Sequence, residues 1–245
     1  MSPRASEPPE PLDPLQTGIG HKVVDEVEAL EELLAQVVEQ SQASPQRMGD
    51  GLRGRCAVVT GGASGIGRGV VVELGRQGVH VAFNYVDDGD GRMQAEAEKT
   101  AAELRMLEVD VMFRACDVRS SSAVNRFVLD AKQELGEIHI LVNNAGIARD
   151  RALWRLSDEH WGDVIETNLT GAFNMIRAVA PIMRQQQYGK IVNVSSIHAL
   201  RSEFGLSNYA ASKAGLLALT RSAALELGPD NILSLIHIPS PRDTR

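Results

Sequence analysis

The stretch Thr60-Gly61-Gly62-Ala63-Ser64-Gly65-Ile66-Gly67 constrains this chain more than any other. It follows a short apolar run, Cys56-Ala57-Val58-Val59, and opens a helix-like segment near Ile66. The order is strand, glycine turn, helix. Glycines at 61, 65 and 67 let the backbone turn tightly and come close to a bulky anion, which the N–H groups at the helix start then face. A glycine-rich turn is often only a turn; in this setting the ligand it implies is the diphosphate of a dinucleotide.

The segments after Gly54 alternate. Strand-like apolar runs lie at 55–60, 79–85, 111–115, 138–143 and 190–195. Helix-like segments lie at 66–77, 91–107, 120–135, 157–187 and 209–227; the segment 157–187 reads as two pieces or as one long helix, with Pro181 the candidate kink. Strands alternating with helices imply right-handed crossovers and an α/β fold around one doubly wound parallel sheet. The 245 residues suffice for one such domain and its core. Residues 1–53 read as an extension. Five prolines leave 1–20 disordered. Val23, Val27, Leu30, Leu34 and Val37 stripe an amphipathic helix over 21–40, and 41–53 link it to the domain. A net charge of −7 argues against a nucleic-acid partner. No run of eighteen apolar residues suggests a membrane span. Without a signal-like apolar core, a cytoplasmic location is expected, with Cys56 and Cys116 as buried free thiols.

Several polar residues stand out against this frame. Ser196, Tyr209 and Lys213 follow the pattern Ser, twelve residues, Tyr, three residues, Lys. Tyr209 and Lys213 share a helix face. A phenol ionises near pH ~10, and an ammonium beside it favours the phenolate, so the pair can work as an acid–base couple. Taken alone, such a pair is more often a solvated surface contact. Asn143-Asn144-Ala145-Gly146 ends the fourth strand, Asn168 lies between, and Asp117 follows the third strand. Asp117 can accept from an adenine amine, or simply cap the helix that starts near Ser120.

With these motifs the sequence resembles the short-chain dehydrogenase/reductase family from about Gly54 to Ile232, and within it the 3-oxoacyl-[acyl-carrier-protein] and acetoacetyl-CoA reductases. The resemblance implies a Rossmann-like fold and hydride transfer between a nicotinamide cofactor and a carbonyl. It makes Tyr209 the proton donor, Ser196 the group that holds the carbonyl oxygen, and Lys213 the cation beside Tyr209. Asn168 would hold a water that resupplies protons. It assigns Gly61, Ser64, Gly65, Ile66, Gly67, Tyr85, Asp117, Val118, Asn144, Ala145 and Gly146 to the cofactor, together with Tyr209 and Lys213, and implies no metal. Tyr85 stands where NAD-preferring relatives carry an acid, which favours NADP(H) and leaves NAD(H) open; Val86-Asp87-Asp88 is acidic, and Arg68 is the remaining cation for a 2′-phosphate.

A 3-oxoacyl thioester is the implied substrate. A sugar or steroid alcohol, or a non-catalytic nucleotide-binding fragment, are the alternatives. Against a complete member, this chain departs from the pattern after Ile232, and its terminal string resembles translated sequencing-adapter sequence. Residues 233–245 are therefore expected to be foreign to the family, with the last strand and the substrate lid missing. A complete relative would form a homo-oligomer; this chain is expected to form a dimer at most, with an exposed sheet edge.

Overall fold

The computed structural model describes residues 51–239, and the expected helix at 21–40 lies outside them, as does the chain beyond Pro239. Six strands form one parallel sheet: β1 (Cys56–Val59), β2 (His80–Tyr85), β3 (Val111–Ala115), β4 (Ile140–Asn143), β5 (Gly189–Val194) and β6 (Ile232–His237). Their order is β3-β2-β1-β4-β5-β6. All pairs are parallel, with Val59 beside Val142 and Asn143 beside Asn193, so the carboxyl ends of the central strands lie level.

Six helices cover the sheet: α1 (Gly65–Arg76), α2 (Arg92–Met106), α3 (Ser121–Leu135), α4 (Asp158–Ile165), α5 (Gly171–Gln186) and α6 (Ser207–Leu227). Two cores follow from the period-two alternation of the strands. On one face Ala57, Val59, Val81, Phe83, Ile140 and Val142 meet Val71 and Val72 of α1 and Ala97, Ala101 and Leu104 of α2. On the other, Val58, Ala82, Met112, Leu141 and Ile191 meet Phe127 of α3, Met175 and Met183 of α5, and Ala223 and Leu227 of α6. Helices on both faces make the strands near-continuous apolar runs. The chain turns from the β1-β2-β3 half to the β4-β5-β6 half between β1 and β4, and a doubly wound sheet opens a crevice at that point.

The segment 157–187 is one helical run with its irregularity at Glu166–Thr170, a π turn joining α4 to α5, while α5 continues through Pro181. Pro181 removes one helical hydrogen bond. The π turn shifts the bonding register and carries Asn168 at its centre. Residues 232–237 form the sixth strand, which pairs with β5 from Gly189↔Ile232 to Val194↔His237. One side chain fits it poorly: Ser234 faces inward and its hydroxyl has no partner. Among the described residues β6 is a sheet edge, with Leu233 and Leu235 turned outward. No described helix is long and apolar enough to cross a membrane.

Candidate active site

The crevice at the switch point is a cleft of ≈ 690 Å³. Its floor is the glycine turn after β1. Gly61, Ser64, Gly65 and Ile66 line it. Gly61 and Gly65 have φ of 67° and 55°, which a side chain would strain. Gly67 stands behind the lining, because a Cβ there would lie 2.1 Å from the Gly61 carbonyl oxygen. Ser64 precedes α1 without a side-chain cap, and no acid occupies the first turn of that helix. The helix start therefore keeps N–H groups and a positive dipole end for an anion.

The opposite wall comes from β4. Asn144, Ala145 and Gly146 line the cleft. Thr60 fixes them: its Oγ1 accepts from the N–H groups of Asn144 and Ala145, both at 2.9 Å. The Asn144 amide donates back to the Thr60 carbonyl at 3.0 Å. A Cβ on Gly146 would crowd Asn168 Oδ1 at 3.3 Å and Lys213 Nζ at 3.5 Å. Asn168 is itself buried behind this wall. Its Oδ1 accepts from the Ile147 N–H at 2.8 Å, and its Nδ2 donates to the Ile147 carbonyl and to Ser212 Oγ, each at 3.0 Å. Both donors of the amide are used, which leaves one lone pair on Oδ1 for a water.

Ser196, Tyr209 and Lys213 meet in the cleft. Ser196 Oγ accepts from the His198 N–H at 3.2 Å, so its own hydrogen is free to donate outward. The neighbouring Ser195 donates instead to the Lys213 carbonyl at 3.1 Å. Lys213 Nζ donates to the Val194 carbonyl at 2.7 Å and lies 5.8 Å from the centroid of the Tyr209 ring. Burial pulls the Lys213 ammonium down to about 8. This is the direction expected when a charge is taken out of water without an anion beside it.

Three assigned residues lie outside the lining, along the ends of β2 and β3. Tyr85 is buried, and burial, helped by Asp87 and Glu98, pushes its phenol up. Asp117 holds Arg119 through two oxygens at 2.7–3.1 Å, which keeps its carboxyl below the usual range. Val118 packs where a Cβ on Gly171 would fall, and its carbonyl accepts from Asn174. The cation considered for a 2′-phosphate, Arg68, is bonded to Glu103 at 2.7 Å. Asp88 is spent at the start of α2, accepting from the Met93 N–H and Arg92 Nε, each at 3.2 Å.

Sequence reasoning passed over Asn84, Thr60 as a ligand of backbone, and His198. The His198 ring lies edge-on to Tyr209, with centroids 6.2 Å apart, and lines the cleft. A polar residue ending an apolar strand was the available signal for Thr60 and Asn84.

A nicotinamide dinucleotide fits this cleft on structural grounds. The helix start supplies uncapped donors, and the glycine turn supplies a surface that any side chain would fill. The profile of the short chain dehydrogenase family matches residues 55–245. The 3-oxoacyl-[acyl-carrier-protein] reductase of Staphylococcus aureus is 38% identical over 178 residues, covering 73% of this chain and 70% of that protein. The acetoacetyl-CoA reductase of Rhizobium meliloti is 40% identical over 172 residues, covering 70% and 67%. Among solved structures, NAD+-bound xylitol dehydrogenase superposes with a TM-score of 0.72 at 31% identity, covering 77% of this chain and 70% of the other. With the sheet order and the site in agreement with that match, this chain belongs to the short-chain dehydrogenase family.

Proposed function

We propose that this chain reduces the keto group of a 3-oxoacyl thioester with NADPH. As a short-chain dehydrogenase it is an NAD(P)-dependent oxidoreductase. The observation that carries the reaction type is the convergence of Ser196, Tyr209 and the buried Lys213 on one cleft. A bound reduced nicotinamide supplies the hydride. The Ser196 hydroxyl, oriented by the His198 N–H, donates to the substrate oxygen and places it beside Tyr209. The Tyr209 phenol gives that oxygen its proton. Lys213, fixed on Val194, holds positive charge near the phenolate left behind. Asn168 holds the Ile147 backbone, and with it one wall of the cleft, and its remaining lone pair is where a water would enter the proton path.

The thioester reading is supported by the names of the two reductases above and by the stretch Asn144-Ala145-Gly146-Ile147-Ala148-Arg149-Asp150, which resembles the acyl-thioester reductase branch of the family. The preference for NADPH is supported by Tyr85, which puts no carboxylate at the end of β2, and by Asp88, whose carboxylate is occupied. A dimer through α5 and α6 is supported by the groove between them, where Phe173 and Leu219 lie beside Arg177 and Glu226; light scattering tests it, and a stable tetramer would contradict it.

One observation favours a second reading, a polyol or ketose as substrate. His198 Nδ1 lies 3.3 Å from the Arg201 carbonyl, which only accepts, so in the neutral ring Nδ1 carries the hydrogen and Nε2 is an acceptor. Such a group suits a substrate hydroxyl better than a second carbonyl. The test follows the absorbance of NADPH with acetoacetyl-CoA and with a ketose, side by side. Turnover of the thioester supports the first reading. Turnover of the ketose alone replaces it with the second.

A further inference from the structure

Asn84 follows the apolar run Val81–Phe83 near the end of β2 and is 1% exposed. A buried amide must be paired or it destabilises the fold. Its Oδ1 accepts from the Gly61 N–H at 3.1 Å, and its Nδ2 donates to the Cys116 carbonyl at 2.6 Å. Its own backbone carbonyl accepts from the Gly62 N–H at 3.0 Å. One residue thus takes up the N–H groups of both glycines that open the turn after β1. It also ties that turn to the end of β3, one residue before Asp117. The donors left for an anion are those further on, at the start of α1. The separation between the turn and the β3 edge is set by the length of a single amide.

We propose that Asn84 is a positioning residue for the dinucleotide, holding the diphosphate-binding turn against the end of β3 so that one rigid surface receives the ADP-ribose half. The proposal rests on the reading of the cleft as a nicotinamide dinucleotide site. Asn84 does not line the cleft and touches no reacting atom. Its loss should therefore appear in affinity for one half of the cofactor and not in the chemical step.

The experiment uses the full chain and two variants, Asn84→Leu, which fills the space without the bonds, and Asn84→Ser, which is tolerated where leucine is not. Binding of NADPH to the unaltered chain comes first; no binding would overturn the reading of the cleft, and this proposal with it. Dissociation constants are then measured for ADP-ribose and for nicotinamide mononucleotide, with kcat at saturating cofactor and the thermal midpoint. The expected result is about a tenfold loss of ADP-ribose affinity, with nicotinamide mononucleotide affinity and kcat unchanged. Unchanged ADP-ribose affinity in a folded variant overturns the proposal. So does an equal loss for both fragments together with kcat, which would mark a general weakening of the sheet.

Discussion

The Lys213 ammonium donates to the Val194 carbonyl at 2.7 Å, so the residue that ends β5 fixes a buried charge from α6. The bond explains how a 4% exposed lysine is held in place with no carboxylate partner among the described residues. It does not remove the cost of burial, which brings the ammonium to about 8. Stability has been given up to keep a cation beside Tyr209, a pattern common at functional sites.

That cost has a pH signature. The unfolded chain keeps the Lys213 proton up to 10.5, while the folded chain releases it near 8. Between those values the unfolded state binds more protons, so folding becomes more favourable as pH rises through the window. The increment is at most on the order of 3 kcal/mol. Lys213→Met should lose at least about 10²-fold in turnover and lack this rise in stability between pH 8 and 10.5. Denaturant melts of both proteins across the window check it. Identical pH profiles would mean that Lys213 is not the buried titrating group.

Tyr209→Phe removes the phenol and leaves the ring against His198. Turnover should fall by about 10²–10⁴, with NADPH binding retained, because the glycine turn and Lys213 are untouched. Stopped-flow measurement of the chemical step separates the two. Near-full turnover would take the proton donor's role away from Tyr209.

Glu103 reaches from α2 to Arg68 at 2.7 Å and to Arg76 at 3.9 Å. The pair is partly exposed, so it contributes little to stability, about 0–1 kcal/mol. Glu103→Ala frees Arg68 in the first turn of α1. NADPH affinity should then rise relative to NADH by about two- to fivefold. A ratio unmoved by the substitution would place Arg68 out of reach of the 2′-phosphate.

The framework of this site was legible because its signals are local. The glycine turn, the four-residue step from Tyr209 to Lys213 and the strand–helix alternation each lie within one element or one connection. The helix and strand bounds consequently fall within a few residues of their expected places. Asn84 and Thr60 are marked only as polar residues at the ends of apolar strands, which does not name their partners. Asn84 meets Gly61 and Cys116, and Thr60 meets Asn144, 84 positions on, only once the sheet has brought four strand ends together. The π turn was silent, because the apolar periodicity of 157–187 continues across it. Pro181 is the louder sequence feature, yet α5 absorbs it with a single missing hydrogen bond. In the terminal segment the strand edge was legible but its facing was not: Ile232 and Ser234 turn inward while Leu233 and Leu235 turn outward, an order the residue types do not signal.

Ser234 marks where that strand is least suited to its place. Its hydroxyl is buried beside the core and has no partner. An unpaired buried hydroxyl costs about 1–3 kcal/mol. Ser234→Val supplies an apolar side chain of similar reach, and should raise the denaturation midpoint without changing kcat, since β6 pairs with β5 beneath the cleft. A lower midpoint would show that the hydroxyl is satisfied by a water.

At the opposite end of the sheet, His139 accepts the Cys56 N–H on Nδ1 at 3.0 Å, while Nε2 faces Glu137 at 2.9 Å. The arrangement requires the neutral ring with its hydrogen on Nε2. A proton on Nδ1 would set two N–H groups against each other. Burial holds the imidazole below its ordinary 6.5, with the Arg55 charge adding in the same direction and Glu137 opposing. The unfolded chain therefore takes up a proton at 6.5 that the folded chain still refuses. Stability from this group is complete above 6.5 and falls as pH drops below it, until the folded ring is itself protonated. His139→Asn, whose Oδ1 can replace Nδ1 as the acceptor, should remove that loss while keeping the bond that joins β1 to β4. Urea midpoints at a series of pH values from 7.5 down to 5 would show it as a flatter curve for the variant. An equally steep decline in both proteins would assign the acid sensitivity to the carboxylates instead.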